Sequence, residues 1–401
     1  YAEFSYYAQD KLNILKQSPS EVEIEDGTRG IGDFAFYLLY VETVKGLDNV
    51  GSDNSSIIIG QGAFYRCKRL GLTKLSDSLK TIPDHAFYKC ESLRLTSFPI
   101  NLRDIGQSAF YGCTTLDTVD FAGKPFVNSI GDYAFYGCTN LQTLRLGSSI
   151  KSIGDYAFYG CSNEAFDSLK LPDSLTTIGE YSFANCRSLR NIDYGKGIKN
   201  VPDYAFYNCA ALREVNIPDT IETVGEGAYL ACSSAETVTK NVKSIGDFAF
   251  ASMNIKSVTI PSNVKTLGNY VFRENKLMTA ISIADGVETA GNHLVLGNNL
   301  VTFFFQSENL PGGWSDKWNS YFRPAVFGCV FDETGSFVAS VKVGDNSFLN
   351  SLAENGFSSP VREGYAFGGW ALTEGGEVYL KAGEIALAKP GETLFAIWNK
   401  N

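Results

Sequence analysis

Ile130-Gly-Asp-Tyr-Ala-Phe-Tyr-Gly-Cys138 returns 23 residues later, unchanged, as Ile153-Gly-Asp-Tyr-Ala-Phe-Tyr-Gly-Cys161. Working outward, the same phrase is found at Ile105-Gly-Gln-Ser-Ala-Phe-Tyr-Gly-Cys113, at Ile82-Pro-Asp-His-Ala-Phe-Tyr-Lys-Cys90 and at Ile31-Gly-Asp-Phe-Ala-Phe-Tyr37. Its key aromatic falls at Phe36, Phe64, Phe87, Phe110, Phe135, Phe158, Phe183, Phe206, Tyr229, Phe250 and Phe272, with Val295 as a degenerate last copy, so twelve modules follow one another. The long first interval accommodates the polar insertion Asp48 to Ser56, read as a surface loop. One module of this size cannot bury its own Leu, Ile, Ala, Phe and Cys, but stacked neighbours share a core. The expectation is a repeat solenoid of about twelve rungs of roughly 23 residues, with like residues lying over one another at about 4.7 to 4.9 Å.

Between the phrases lies a second element: Leu141-Gln-Thr-Leu144-Arg-Leu146, Leu189-Arg-Asn-Ile192-Asp-Tyr194, Leu212-Arg-Glu-Val215-Asn-Ile217-Pro218 and Ile255-Lys-Ser-Val258-Thr-Ile260-Pro261. Alternation in its last three core positions marks a short parallel strand, and one sheet of such strands is expected along the stack. Pro172, Pro218 and Pro261 follow that strand, where a missing N–H closes the ladder. Asp132, Asp155, Asp203, Asp247, Asn269 and Asn292 precede the Ala-Phe pair and are expected to cap a single helical turn. Gly131 and Gly154 are expected to permit its tight bend.

Composition bounds the function classes. Of 401 residues 44% are hydrophobic and 19% charged, which suits a folded chain, and a net charge of -10 argues against a nucleic-acid partner. The longest apolar runs, such as Phe34 to Val41, fall far short of the roughly 20 residues of a membrane span. Residue 1 is Tyr, with no basic-then-apolar leader, so a mature or trimmed form is expected.

The Ile-Gly-x-x-Ala-Phe-x-x-Cys-x-x-Leu phrase, linked by Leu-x-Ile-Pro strands over about residues 24–305, resembles the BspA-like leucine-rich repeats of bacterial cell-surface proteins. The resemblance implies a leucine-rich-repeat right-handed superhelix. Beyond Phe305 the period stops, and all four tryptophans lie past residue 310. Gly364-Tyr-Ala-Phe367-Gly-Gly-Trp370 with Thr393-Leu-Phe-Ala-Ile-Trp398 is similar to the Listeria-Bacteroides repeat, or internalin B-repeat, a β-grasp-like module of surface proteins. The expected divisions are an N-terminal cap over 1–20 with apolar residues at helical spacing from Phe4 to Leu15, the solenoid over 21–305, a cap and junction over 306–330, and a small β-rich domain over 331–401.

Eight of nine cysteines, from Cys67 to Cys232, occupy one column and are read as reduced, buried thiols. Their side chains point in parallel, whereas disulfides and zinc need convergent geometry. His85 and His293 share a column nine rungs apart, roughly 43 Å at strand spacing, so they serve no common metal or active site. The acidic column from Asp33 to Asp247 is explained by capping rather than calcium, which needs six to eight convergent oxygens. No catalytic phrase accompanies these groups. No cofactor and no metal are expected, and the chain reads as a non-enzyme.

Two outward columns are candidate binding surfaces. The residue after the key aromatic gives Tyr37, Tyr65, Tyr88, Tyr111, Tyr136 and Tyr159 on consecutive rungs, with Ala184 interrupting them and Tyr207 beyond it. The strand face offers Asp120, Arg145, Lys170 and Asp193. The resemblance implies an extracellular or cell-surface adhesion protein, with host proteins, matrix components or neighbouring bacterial cells as partners. A carbohydrate-binding accessory working through the tyrosines is the alternative.

Overall fold

The computed structural model describes residues 19–24, 28, 30–47, 58–213, 215–233, 242–332, 335, 337–351 and 355–401. The apolar pattern from Phe4 to Leu15 and the insertion Asp48 to Ser56 lie outside the described residues. The fold is a β-solenoid of about twelve turns of stacked parallel strands, followed by an antiparallel sheet. The chain divides into two compact units, Tyr1–Leu212 and Arg213–Asn401.

In the first unit each turn uses a strand of only two residues, the second of them apolar and buried, at the start of the repeated phrase. Thr81–Ile82, Asp104–Ile105, Ser129–Ile130, Ser152–Ile153 and Thr177–Ile178 pair in parallel as one five-stranded ladder. The next residue prolongs it: the N–H of Gly106, Gly131 and Gly154 donates to Ile82, Ile105 and Ile130 carbonyls at 2.7–2.8 Å. Proline ends it on both sides. Pro83 offers no N–H to the preceding rung, and Gly30–Ile31 with Ile58–Ile59 form a separate pair there. Pro202, after Asn200–Val201, interrupts the ladder beyond Thr177–Ile178 in the same way.

The strands expected after the leucines are present, but they do not form one sheet. Thr118–Asp120 pairs with Thr143–Arg145 and Ser168–Lys170 with Asn191–Asp193, each as an isolated parallel pair. Between the two pairs the chain folds on itself at residues 163–165, with Ala165 N–H donating to Asn163 Oδ1 at 2.9 Å. The continuous ladder is therefore carried by the two-residue strands. Between the two ladders runs the core. Phe64, Phe87, Phe110, Phe135, Phe158, Phe183 and Phe206 are fully buried. Their rings stack at 5.1–5.8 Å, within 10° of parallel. Burying a phenylalanine contributes about 1.5–3 kcal/mol.

The second unit repeats this plan. Thr223–Val224, Ser244–Ile245, Thr266–Leu267, Thr289–Ala290 and Gly313–Trp314 form its short-strand ladder. Ser257–Ile260, Ala280–Ile283, Thr302–Phe305 and Ala325–Val326 form a longer one, ended by Phe348–Leu349 pairing antiparallel. Residues 306–330, expected as cap and junction, thus carry one further rung, with Trp314 and Trp318 buried in its columns. The antiparallel sheet that follows has the order Cys329–Phe331, Val338–Lys342, Thr393–Lys400, Tyr365–Ala371. Trp370, Val341 and Leu394 share a core with Ala280, Phe304 and Val326 of the rungs. The sheet is therefore packed onto the solenoid turns of its own unit.

Candidate interaction surface

The repeated phrase makes no helical turn. In each rung the residue two before the key aromatic has a left-handed backbone: φ is 56° at Tyr133, 55° at Tyr156, 53° at Tyr181 and 54° at Tyr204. The residue two after it is left-handed as well, including Gly112, Gly137 and Gly160 at 66–72°. Alternate N–H groups consequently point along the stack instead of within the turn. Phe64, Phe87, Phe110 and Phe135 N–H each donate to the next rung's alanine carbonyl at 2.7–2.8 Å.

That geometry corrects the expected role of the acidic column. Asp84 Oδ1 accepts the N–H of Gln107 at 2.7 Å, Asp132 Oδ1 that of Asp155 at 2.9 Å, and Asp155 Oδ1 that of Glu180 at 2.8 Å. The carboxylates bridge successive rungs and cap no helix. The preceding glycines serve close approach rather than a bend. A Cβ on Gly154 would stand 2.3 Å from Asp132 Oδ1 and 2.5 Å from its N, and one on Gly106 2.4 Å from Asp84 Oδ1. Pro83 and Pro202 occupy the glycine position above Gln61 and Glu180, where the rung below has no aspartate.

The thiols are also spent on the ladder. Cys67, Cys90, Cys113, Cys138, Cys161, Cys186 and Cys209 are buried, and each Sγ donates to the preceding rung's aromatic carbonyl, from Phe36 to Phe183, at 2.9–3.5 Å. Burial pushes Cys67 and Cys138 up to about 12, and Cys90, Cys113, Cys161 and Cys186 well above the ordinary thiol range. They are protonated at neutral pH and hold no thiolate nucleophile.

What the rungs turn outward is aromatic. Tyr65, Tyr88, Tyr111, Tyr136 and Tyr159 are half-buried and stack at 4.6–4.7 Å. Tyr37 joins them, 5.3 Å from Tyr65. A second file, which column reading from the sequence missed, stands beside the first: Tyr133, Tyr156, Tyr181 and Tyr204 stack at 4.7–4.8 Å within 6° of parallel. The files meet at Tyr133–Tyr136 and Tyr156–Tyr159, 6.0 and 5.8 Å apart. His85 occupies the second column too, 5.8 Å from Tyr88. The signal was in the phrase, since Tyr133 and Tyr156 are its fourth letter, but only the left-handed backbone brings that letter beside the seventh.

Because the rings lie face on face, each file presents edges and hydroxyls. Burial, then neighbouring phenols, raise Tyr65, Tyr88, Tyr111, Tyr136 and Tyr156 above the usual tyrosine range, so they are neutral donors. Arg66 lies over Tyr65 at 5.8 Å, and Lys89 over Tyr88 and Tyr111 at 5.8 and 5.9 Å. Farther along, Gly137 and Gly160 take the place of those cations, and a Cβ there would meet no atom within 4 Å.

The strand column is less distinctive. Arg145 pairs with Asp120 at 3.4 Å and Lys170 with Asp193 at 3.6 Å, all substantially exposed, so each pair contributes at most about 1 kcal/mol. A polar concavity of about 440 Å³ lies between Arg94, Thr114, Thr115, Asp117, Thr139 and Asn140. Among the described residues no cluster of three or more His, Cys, Asp or Glu side chains could hold a metal ion, and no helix is long and apolar enough to cross a membrane.

The sequence profile of the BspA type leucine-rich repeat region matches residues 31–165, 118–236, 162–279 and 199–310. Among solved structures, a leucine-rich repeat protein from Bacteroides ovatus ATCC 8483 is 24% identical over 62% of this chain, with a TM-score of 0.49; the match spans 58% of that protein's length. The T. pallidum leucine-rich repeat protein TpLRR is 30% identical over 39% of this chain and 72% of its own, with a TM-score of 0.36. A leucine-rich cell surface protein from Faecalibacterium prausnitzii A2-165 is 23% identical over 68% of this chain and 83% of its own, with a TM-score of 0.43. No curated protein matches the chain.

Proposed function

The chain belongs to the BspA-type leucine-rich repeat family, and from that premise we propose a non-catalytic interaction protein of the bacterial surface or secreted space, whose tyrosine-bearing rungs engage protein partners. The observation that carries this reading is the pair of adjoining phenol files on Tyr111, Tyr136, Tyr159, Tyr133 and Tyr156. Tyrosine supplies contact area and a hydroxyl with few rotamers to freeze, which suits association through many modest contacts. The non-catalytic part is supported by the groups that could do chemistry. The column thiols and the column aspartates Asp84, Asp132 and Asp155 are spent on rung-to-rung hydrogen bonds. Adhesion to host or bacterial proteins is the finer role proposed. The divisions 1–20, 21–305, 306–330 and 331–401, with the last as an internalin B-type module, are proposed alongside it. The core that Trp370 and Leu394 share with Phe304 favours a docked module over a free spacer.

Glycan binding draws less support, because a sugar lies on an aromatic face and these faces are covered by neighbouring rings. The test is attachment of chain-coated beads to host cells. Changing Tyr111 and Tyr136 together to Ala should cut attachment about tenfold or more, since interface aromatics are worth about 2 kcal/mol or more each. Unchanged attachment with an intact circular dichroism spectrum would refute the reading. A glycan-array signal lost in the same variant would move it to the carbohydrate class.

A further inference from the structure

We propose that the Tyr65 to Tyr159 file is a binding site for a proline-rich segment in the polyproline II conformation, with acidic residues at one end. The inference rests on the interaction reading above and names the partner's chemistry. Its first basis is pitch. Successive ring centroids are 4.6, 4.7, 4.6 and 4.7 Å apart, so every second ring repeats in step with a polyproline II turn, about 9.3 Å for three residues. An extended strand returns the same face every ~6.7 Å and an α-helix turns every ~5.4 Å, and both fall out of step within one or two rungs.

The second basis is hydrogen-bonding chemistry. A polyproline II helix makes no internal hydrogen bonds, and its carbonyls need donors. The stacked tyrosines offer hydroxyls rather than ring faces. Tyr133 and Tyr156 flank the rings of Tyr136 and Tyr159 on one side. The glycines at 137 and 160, where an added Cβ would meet nothing within 4 Å, leave room for a backbone to come close. Charge sets the third condition. Arg66 and Lys89 sit at the Tyr65 to Tyr111 end and take part in no ion pair among the described residues. Carboxylates on the ligand would complement them, which fixes the direction in which the segment lies.

The experiment is fluorescence anisotropy on the full chain with three labelled dodecapeptides: two aspartates followed by ten prolines, two aspartates followed by a Gly-Ser repeat, and twelve prolines. The first should bind about tenfold or more tightly than the second, a difference of about 1.4 kcal/mol. Tyr111→Phe with Tyr136→Phe keeps the stack, removes two donors and should weaken the first peptide about five- to tenfold. Arg66→Ala with Lys89→Ala should weaken the first peptide and reduce its salt dependence, leaving the uncharged one within about twofold. Equal binding of the proline and Gly-Ser peptides, no binding of the proline peptide, or indifference to the Phe variants would overturn the proposal. If cell attachment still depends on Tyr111 and Tyr136 while the proline peptide does not bind, this inference falls and the interaction reading stands. If attachment is indifferent to them, the broader reading falls.

Discussion

The rungs of the first unit and the last rungs of the second solve one problem with different side chains. In the first, a cysteine reaches back to the preceding aromatic's carbonyl, as Cys138 does to Phe110 at 3.3 Å. In the second, asparagine stands in the same column. Asn275 Nδ2 donates to Phe250 O at 2.8 Å and Asn298 Nδ2 to Phe272 O at 2.8 Å. Asn275 also donates to Phe272 O at 3.0 Å, and its Oδ1 accepts the Ile255 N–H at 3.3 Å. Met253 fills the same position in the Phe250 rung with no donor, whereas at these rungs the column supplies a buried donor aimed along the stack, by sulfur or by amide. Cysteine does so at little desolvation cost and weakly; asparagine binds more partners and leaves more stranded when removed.

That contrast can be broken most severely with pH. Unfolded thiols ionise near 9, while burial holds Cys67 and Cys138 near 12 and raises Cys90 well above the ordinary range. Above pH 9 the unfolded chain binds fewer protons than the native one. Stability that is complete below pH 9 should therefore fall as pH rises toward 12, by up to about 1.4 kcal/mol per thiol for each pH unit. Amide exchange between pH 8 and pH 10.5, read separately over residues 58–212 and 255–305, should show the loss concentrated in the cysteine rungs. Equal loss in both would mean that the thiols are not what titrates.

The next largest effect compares single deletions. Asn275→Ala strands the Ile255 N–H and two carbonyls and should cost about 3 kcal/mol, whereas Cys138→Ala should cost about 1–2 kcal/mol. Urea midpoints decide it, and equal costs would remove the distinction between the two donors. A smaller and more local effect belongs to the feature the rungs share. Gly154→Ala should destabilise by about 1–2 kcal/mol through its clash with Asp132. Adding Asp132→Ala should recover only part of that, because the Asp132 backbone N would still lie 2.5 Å from the new Cβ. Full recovery would show that the carboxylate alone excludes a Cβ.

Much of this was legible from residue order. The repeat of Ile130 to Cys138 at Ile153 to Cys161 implies that Phe110, Phe135 and Phe158 lie over one another, and they do, at 5.1 and 5.2 Å. The strands at Thr143–Arg145 and Ser257–Ile260 were legible from alternation. Strands such as Ser129–Ile130 were not, because two residues are too few to show a period. The carboxylate role misled for a related reason: an Asp before an apolar pair suits a helix cap and an inter-rung bridge equally, and sequence does not say which N–H lies within reach.

By itself, then, the order of residues determined that the chain stacks and which residues share a column, since burial of a repeated apolar set demands a shared core. The tertiary structure decided what each column does. The left-handed residues on either side of every key aromatic turn the N–H groups along the stack, so aspartate and cysteine bond between rungs, and asparagine both between rungs and within its own. The same backbone brings Tyr133 beside Tyr136 and makes two tyrosine files from what reads, letter by letter, as one.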